Sequence, residues 1–294
     1  MNFYGKDYNV YKANLHTHTK NSDGGYTPEE IIRLYGEHSY DVIAFTDHRK
    51  TNKISTYDGK GMTLISGIEL HPPGPRNTPW HLLALNVPED FAGEYASASD
   101  AITAVLLAGG IVFCAHPHWS GFTSGDVLTL NGISGIEVYN NSCRGIGRAY
   151  NDQCWNELIE AGFVSGALAV DDTHASYHLF GGWTMILAED KSVPSLMASL
   201  AMGRYYATQG PEFHRLELKG RTFEADFTEA VEVIILAEHS RGICVTAPDF
   251  PNYGDHKTIS TFSVNIPEHY QSPIRCRIRD KEGKYAWSAP IYVN

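Results

Sequence analysis

Cysteine is scarce in this chain. There are five in 294 residues, an odd number, and no CxxC pair. A disulfide framework is therefore not expected, and a reducing compartment, the cytoplasm, is. Basic residues are also short, with 23 Lys and Arg against 34 Asp and Glu, a formal net charge of -11. No basic patch stands out, which argues against a nucleic-acid partner. Residues 1–11 hold no apolar segment of the signal-peptide kind, and no run is long enough to span a membrane. No internal repeat and no low-complexity segment interrupts the chain.

What is present is a globular composition, 43% hydrophobic and 19% charged, able to bury a large core. The length suits one barrel, or a barrel with a small partner domain. Short apolar runs alternate with amphipathic ones through the first two thirds. Strands are expected at residues 12–18, 42–46, 63–70, 80–85, 111–115, 133–139, 167–170 and 183–187. Helices are expected from Thr27, at about 97–108, at 148–161 and at about 194–202. Thr27, Pro28 and Glu30 form a helix-start signal: a cap, a first-turn proline and a capping box. Repeated strand-helix units predict a mostly parallel sheet, closed or nearly so. Beyond about residue 210 short alternating runs predict a small antiparallel β-sandwich. The expected domains are 1–208 and 209–294.

The chemistry lies in a series of polar residues, most of which end these apolar runs. His16-Thr17-His18 opens it, with Asp23 close behind. Asp47-His48, Glu69, His81, His116-Pro117-His118, Glu137 and Asp171-Asp172-Thr173-His174 follow. Residues two apart on a strand point the same way, so His16 and His18 can serve one ion. Asp172 and His174 repeat that spacing. In a barrel, active sites gather at the carboxyl ends of strands, where these residues fall. Imidazole and carboxylate together suit a divalent metal, with Mn, Fe and Zn all open.

The motifs HTHT…SDGG, FTDH, GIE, HLLAL, AHPH, EVYN and DDTH, in that order over residues 11–187, resemble the polymerase-and-histidinol-phosphatase (PHP) superfamily of metal-dependent phosphoesterases. The resemblance implies a distorted seven-stranded (β/α) barrel whose site holds two or three divalent ions. It implies His16, His18, Glu69 and Asp172 around a first ion, with Glu69 bridging to a second held by His81 and His116. Asp23, His48 and His174 match the third-ion ligands, although some branches use histidine where Asp23 stands. Gly203-Arg204-Tyr205-Tyr206, Thr208-Gln209-Gly210-Pro211 and residues 286–291 resemble a branch with a C-terminal β-sandwich. That branch includes enzymes similar to carbaryl hydrolase, which cleave a carbamate.

The implied activity is hydrolysis by a hydroxide bridging two ions that share Glu69. The expected substrate is a small, anionic, phosphorylated metabolite. A carbamate, amide or carboxylic ester is the alternative, and a non-catalytic metal-binding protein the third reading. Arg144 is the preferred anion clamp, with Arg49, Lys50 and Arg148 nearby in sequence. His118 and His178 are candidates to protonate the leaving group. Asp47 is read as a support for His48 or a turn cap, Glu137 as a substrate contact, a supporting residue or a strand-end residue, and His71 as shaping a rigid loop before Pro72 and Pro73, with substrate contact the alternative. His214, His239, His256 and His269 show no ligand spacing. The tail could serve as a lid or as a homo-oligomer interface.

Overall fold

The computed structural model describes residues 1–163, 166–248, 257–271 and 273–293. A curved sheet runs in the order Tyr205–Thr208, Trp183–Ala188, Asn9–Asn14, Val42–Phe45, Thr63–Leu70, Leu82–Leu85, Ile111–Cys114, Gly135–Asn140, Gly166–Val170. It is mixed rather than mostly parallel. Asn9–Asn14, Val42–Phe45 and Thr63–Leu70 pair in parallel, as do Ile111–Cys114, Gly135–Asn140 and Gly166–Val170. Leu82–Leu85 is antiparallel to both of its neighbours. The link before it carries Pro72, Pro73, Pro75 and Pro79, which cannot build the crossover helix that a parallel return requires.

Among the described residues, backbone pairing does not close this sheet into the expected barrel. No ladder joins Gly166–Val170 to Trp183–Ala188. One buried side chain bridges the seam instead. Thr184 Oγ1 accepts from Ala169 N at 3.3 Å and donates to Ala169 O at 3.0 Å. Leu168, Val170 and Ile186 flank the seam and share one core with Leu15, Val42, Ile65, Leu83 and Phe113.

Helices cover the outside. Pro28–Glu37 starts with the expected capping box, Thr27 accepting from Glu30 N and Glu30 reaching back to Thr27 N. Ala98–Leu107 is capped by Ser97. The helix expected from residue 148 begins later, as Asp152–Glu160, because Tyr150 forms an antiparallel bridge with Tyr139. Val105, Trp155 and Leu158 from these helices pack on Ile68, Leu82 and Ile136. Among the described residues no helix is long and apolar enough to cross a membrane.

The tail forms two packed layers. Ile259–Asn265, Thr222–Ala230 and Phe213–Lys219 make a second sheet, and Asn2–Phe3 and Lys6–Asp7 complete it. Asn2–Phe3 joins in parallel, an exception to the antiparallel pattern expected there. Gly242–Thr246, Glu232–Leu236, Arg275–Arg279 and Tyr285–Trp287 extend the first sheet through Tyr205–Thr208. Phe213, Phe223, Phe227, Ile235 and Ile278 fill the space between the layers. These pairings cross the boundary expected at residue 208.

Candidate metal centre

The strand bearing the HxH pair ends at Asn14, earlier than expected. Extended spacing persists beyond it, because Thr17 bridges Thr173 and His18 N donates to Thr173 O. His16 and His18 are both fully buried. Their Nε2 atoms lie 3.0 Å apart. Glu69 Oε2 lies 3.6 and 3.5 Å from them, and Asp172 Oδ1 3.4 and 3.1 Å. Ligands around one tetrahedral ion sit about 3.4 Å apart at ordinary metal–ligand lengths. This first set has that spacing.

Glu69 carries a second set on its other oxygen. Oε1 is 2.8 Å from His81 Nδ1 and 3.4 Å from His116 Nε2. A third set lies on the far side of His18. Asp23 Oδ2 is 3.4 Å from His48 Nε2, and Oδ1 is 3.4 Å from His174 Nε2 and 3.8 Å from His18 Nδ1. The structure thus brings together all nine ligands expected from the sequence. Asp23 is over half exposed, so this set is the most open.

Two buried atoms in the cluster, His18 Nδ1 and Glu69 Oε2, have no hydrogen-bond partner. Buried polar atoms are rarely left so, and a cation between the two ligand sets would satisfy the Glu69 oxygen. The electrostatics agree. Burial alone would raise the Glu69 carboxyl, but His81 and His16 hold it well below the usual range. Asp172 is likewise held down, with His16 and His18 outweighing burial. Burial pushes His18 down to about 4 and lowers His81. Burial also opposes a charge on His16, His48 and His116, but the carboxylates around them raise all three, so a divalent metal bound here would displace protons from part of the cluster.

Backbone strain sits at two ligands. His116 has φ 25° and Asp172 φ 52°, both in the left-handed region. Such strain is held where the surroundings over-determine it. At Gly24, which leads out of the Asp23 turn, an added Cβ would lie 2.3 Å from His18 O, so only glycine fits.

The supporting residues are less legible in the sequence. Glu137 accepts from His16 Nδ1 at 2.6 Å, and from His116 N and Asn140 Nδ2 at 2.8 Å each. It therefore orients a ligand ring. Asp47 does not support His48. It accepts from Thr19 N and Oγ1, Ser22 Oγ and Asn52 Nδ2, and so braces the turn that carries Asp23. Asp171 accepts from Tyr35 Oη and from the amides of residues 180–182. Burial pushes its carboxyl up to about 6. His71, read from the sequence as loop shaping, reaches the cluster 2.8 Å from His48 Nδ1. Trp119 stands 42% exposed beside the His81 and His116 rings. No sequence signal singled it out.

The remaining expected site residues fall outside the ligand sets. His118 is exposed, with Nδ1 3.2 Å from Tyr150 O. His178 is closer, its ring 5.9 Å from that of His174, and its Nδ1 accepts from His174 N. Burial lowers its pKa, and with Nδ1 accepting, the neutral ring carries its proton on Nε2. Its Nε2 is thus the hydrogen-bond donor of the neutral ring. Arg144 is exposed and donates to Tyr177 O at 3.3 Å. Arg148 donates to Trp119 O, Arg49 pairs with Glu94, and Lys50 donates to Asn21 O. His214, His239 and His269 are exposed, and His256 lies outside the described residues.

No family model matches the chain, and no curated protein does. A solved structure does: a two-domain protein of Bacteroides vulgatus ATCC 8482 described as containing a predicted PHP-like metal-dependent phosphoesterase. Its TM-score is 0.55 at 14% identity, over 97% of both chains. The chain has a PHP-like fold. The match along the whole length takes in the two-layered tail as well as the curved sheet. The lesion-specific endonuclease PfuEndoQ of Pyrococcus furiosus aligns over 66% of this chain and 56% of its own, with TM-score 0.49 and 13% identity. An amidohydrolase of Chromobacterium violaceum aligns over 56% and 88%, with TM-score 0.43 and 16% identity. Only the first is similar enough to bear on the PHP-like fold.

Proposed function

We propose that the protein is a PHP-superfamily metal-dependent hydrolase, and that its substrate is a small anionic molecule, in the first instance a phosphorylated metabolite. The observation that carries this is Glu69. One buried carboxylate contributes an oxygen to each of two ligand sets. Divalent ions held there, Mn, Zn or Fe, would supply Lewis acidity and a nucleophile at neutral pH. The chain's own residues do the rest. Glu137 fixes the His16 ring so that Nε2 faces the first set. His178 offers an Nε2 hydrogen to a substrate oxygen at the mouth. Arg144, one hydrogen bond from the Tyr177 carbonyl, supplies positive charge beside it.

A second reading has its own support. Among the described residues no arginine or lysine pairs with a ligand carboxylate, and the cations nearest in sequence are held by backbone carbonyls or by Glu94. A site with its cations so engaged also suits a carbamate, amide or carboxylic ester. One panel separates the readings. Purified protein, after metal analysis, is offered sugar phosphates, nucleoside monophosphates, a phosphodiester, an aryl carbamate and an aryl ester. Phosphate release that is lost in Glu69→Gln and Asp172→Asn supports the first. Turnover of only the carbamate or ester supports the second. No turnover by metal-loaded protein favours a binding role. The five free cysteines support a reducing, cytoplasmic setting.

A further inference from the structure

We propose that His71 is a positioning residue for the third ligand set, acting through His48. The proposal rests on the metal-centre reading above. His71 Nε2 lies 2.8 Å from His48 Nδ1 and 3.5 Å from Glu69 Oε2, and its side chain is only 8% exposed. The two rings meet edge to face at 4.7 Å, and His71 also packs on His81 at 4.2 Å. His48 Nδ1 is nearer still to Glu69 Oε2, at 2.7 Å. That contact is an ion-pair approach, and the His48–His71 pair is the one with hydrogen-bond geometry.

Two imidazole nitrogens 2.8 Å apart share one proton. Were His71 to donate it, a neutral His48 would carry its own proton on Nε2. That atom is 3.4 Å from Asp23 Oδ2, in the third set, and no lone pair would remain there for an ion. With His48 donating, Nε2 is bare. His71 is therefore the acceptor that selects the ligating tautomer of His48. Metal-bound histidines commonly donate their second N–H to a carboxylate, carbonyl or water. Here an imidazole takes that place. Its backbone is fixed from behind, since Pro72 restricts residue 71 and Pro72 O accepts from Trp80 N at 2.9 Å.

The test is Mn2+ titration of the chelator-stripped, full-length protein by calorimetry, with elemental analysis of the dialysed product. Wild type, His71→Ala and His71→Gln are compared. Wild type is expected to bind three ions. His71→Ala keeps the first two and binds the third about 10–100-fold more weakly. His71→Gln recovers most of the loss, because its amide oxygen replaces the accepting nitrogen. It also keeps the test readable should His71→Ala fail to fold. The proposal is overturned if His71→Ala binds the third ion like wild type, if it weakens all three alike, or if His71→Gln fails to rescue. Wild type holding only two ions at saturation also overturns it, yet leaves the metal-centre reading standing. Wild type holding fewer than two overturns that reading.

Discussion

Glu137 Oε1 lies 2.6 Å from His16 Nδ1, and both side chains are fully buried. The contact sets which nitrogen of His16 faces the first ligand set. Glu137→Ala removes that constraint and also leaves His116 N and Asn140 Nδ2 without their acceptor. Metal affinity at the first two sets should fall about 10–100-fold. Competition against a fluorescent chelator measures it. Unchanged affinity would mean that Glu137 is only a strand-end polar residue.

Several candidate ligands were legible from local pattern, His48 and His116 among them, and the full ligand set was implied by the resemblance to the PHP superfamily. At those positions an apolar run ends, and a histidine stands at its end. The capping box at Thr27 was legible for the same local reason. Glu137 was legible only as one of several open readings, and the contact of His71 with His48 was not legible at all. Their roles depend on which side chain a neighbouring strand brings opposite, and no spacing along the chain encodes that. Asn2–Phe3 joining the second sheet was also out of reach, since a strand of two residues has no period to read. The sheet, expected to be closed or nearly so, lacks a ladder at one seam among the described residues, between the Leu168 and Ile186 strands, where a threonine hydroxyl bridges the two.

That seam makes a stability prediction. Thr184 is fully buried and satisfies both backbone groups of Ala169. Thr184→Val keeps the shape and removes the hydroxyl. Two buried polar groups then lose their partner, at a cost of about 1–3 kcal/mol. Thermal unfolding should shift down by roughly 2–10 °C. A Tm within 1 °C, as an order-of-magnitude margin, would show the seam to be held by apolar packing alone.

The cysteines should react very unequally. Cys114, Cys143 and Cys276 are buried, and burial raises each thiol. Burial pushes Cys154 up to about 12. Cys244 is exposed, with a pKa also raised by burial. A thiol-reactive dye at neutral pH should label one cysteine quickly, at Cys244, and the others only on unfolding. A raised pKa leaves less thiolate at neutral pH, so the Cys244 rate should start low and climb about tenfold per pH unit below that pKa. Two fast thiols in the native protein would contradict this burial pattern.

Metal removal should destabilise the fold. Without an ion, Glu69 and Asp172 remain ionised in a buried cluster, balanced only by imidazoles such as His16. Asp172, Glu137 and Glu69 hold the His16 pKa well above its ordinary value against the opposing effect of burial. An ion that binds the folded state alone adds RT ln(1 + [L]/Kd), about 2.7 kcal/mol at a hundredfold excess over Kd. Unfolding followed by circular dichroism in chelator, then at rising Mn2+ or Zn2+, should show Tm climbing with the logarithm of metal concentration. Glu69→Gln should flatten that slope, because it weakens both sets that share the carboxylate. Asp23→Asn should leave most of it, because Asp23 touches only the third and most exposed set. Equal slopes in the two variants would show that Glu69 does not join two sites.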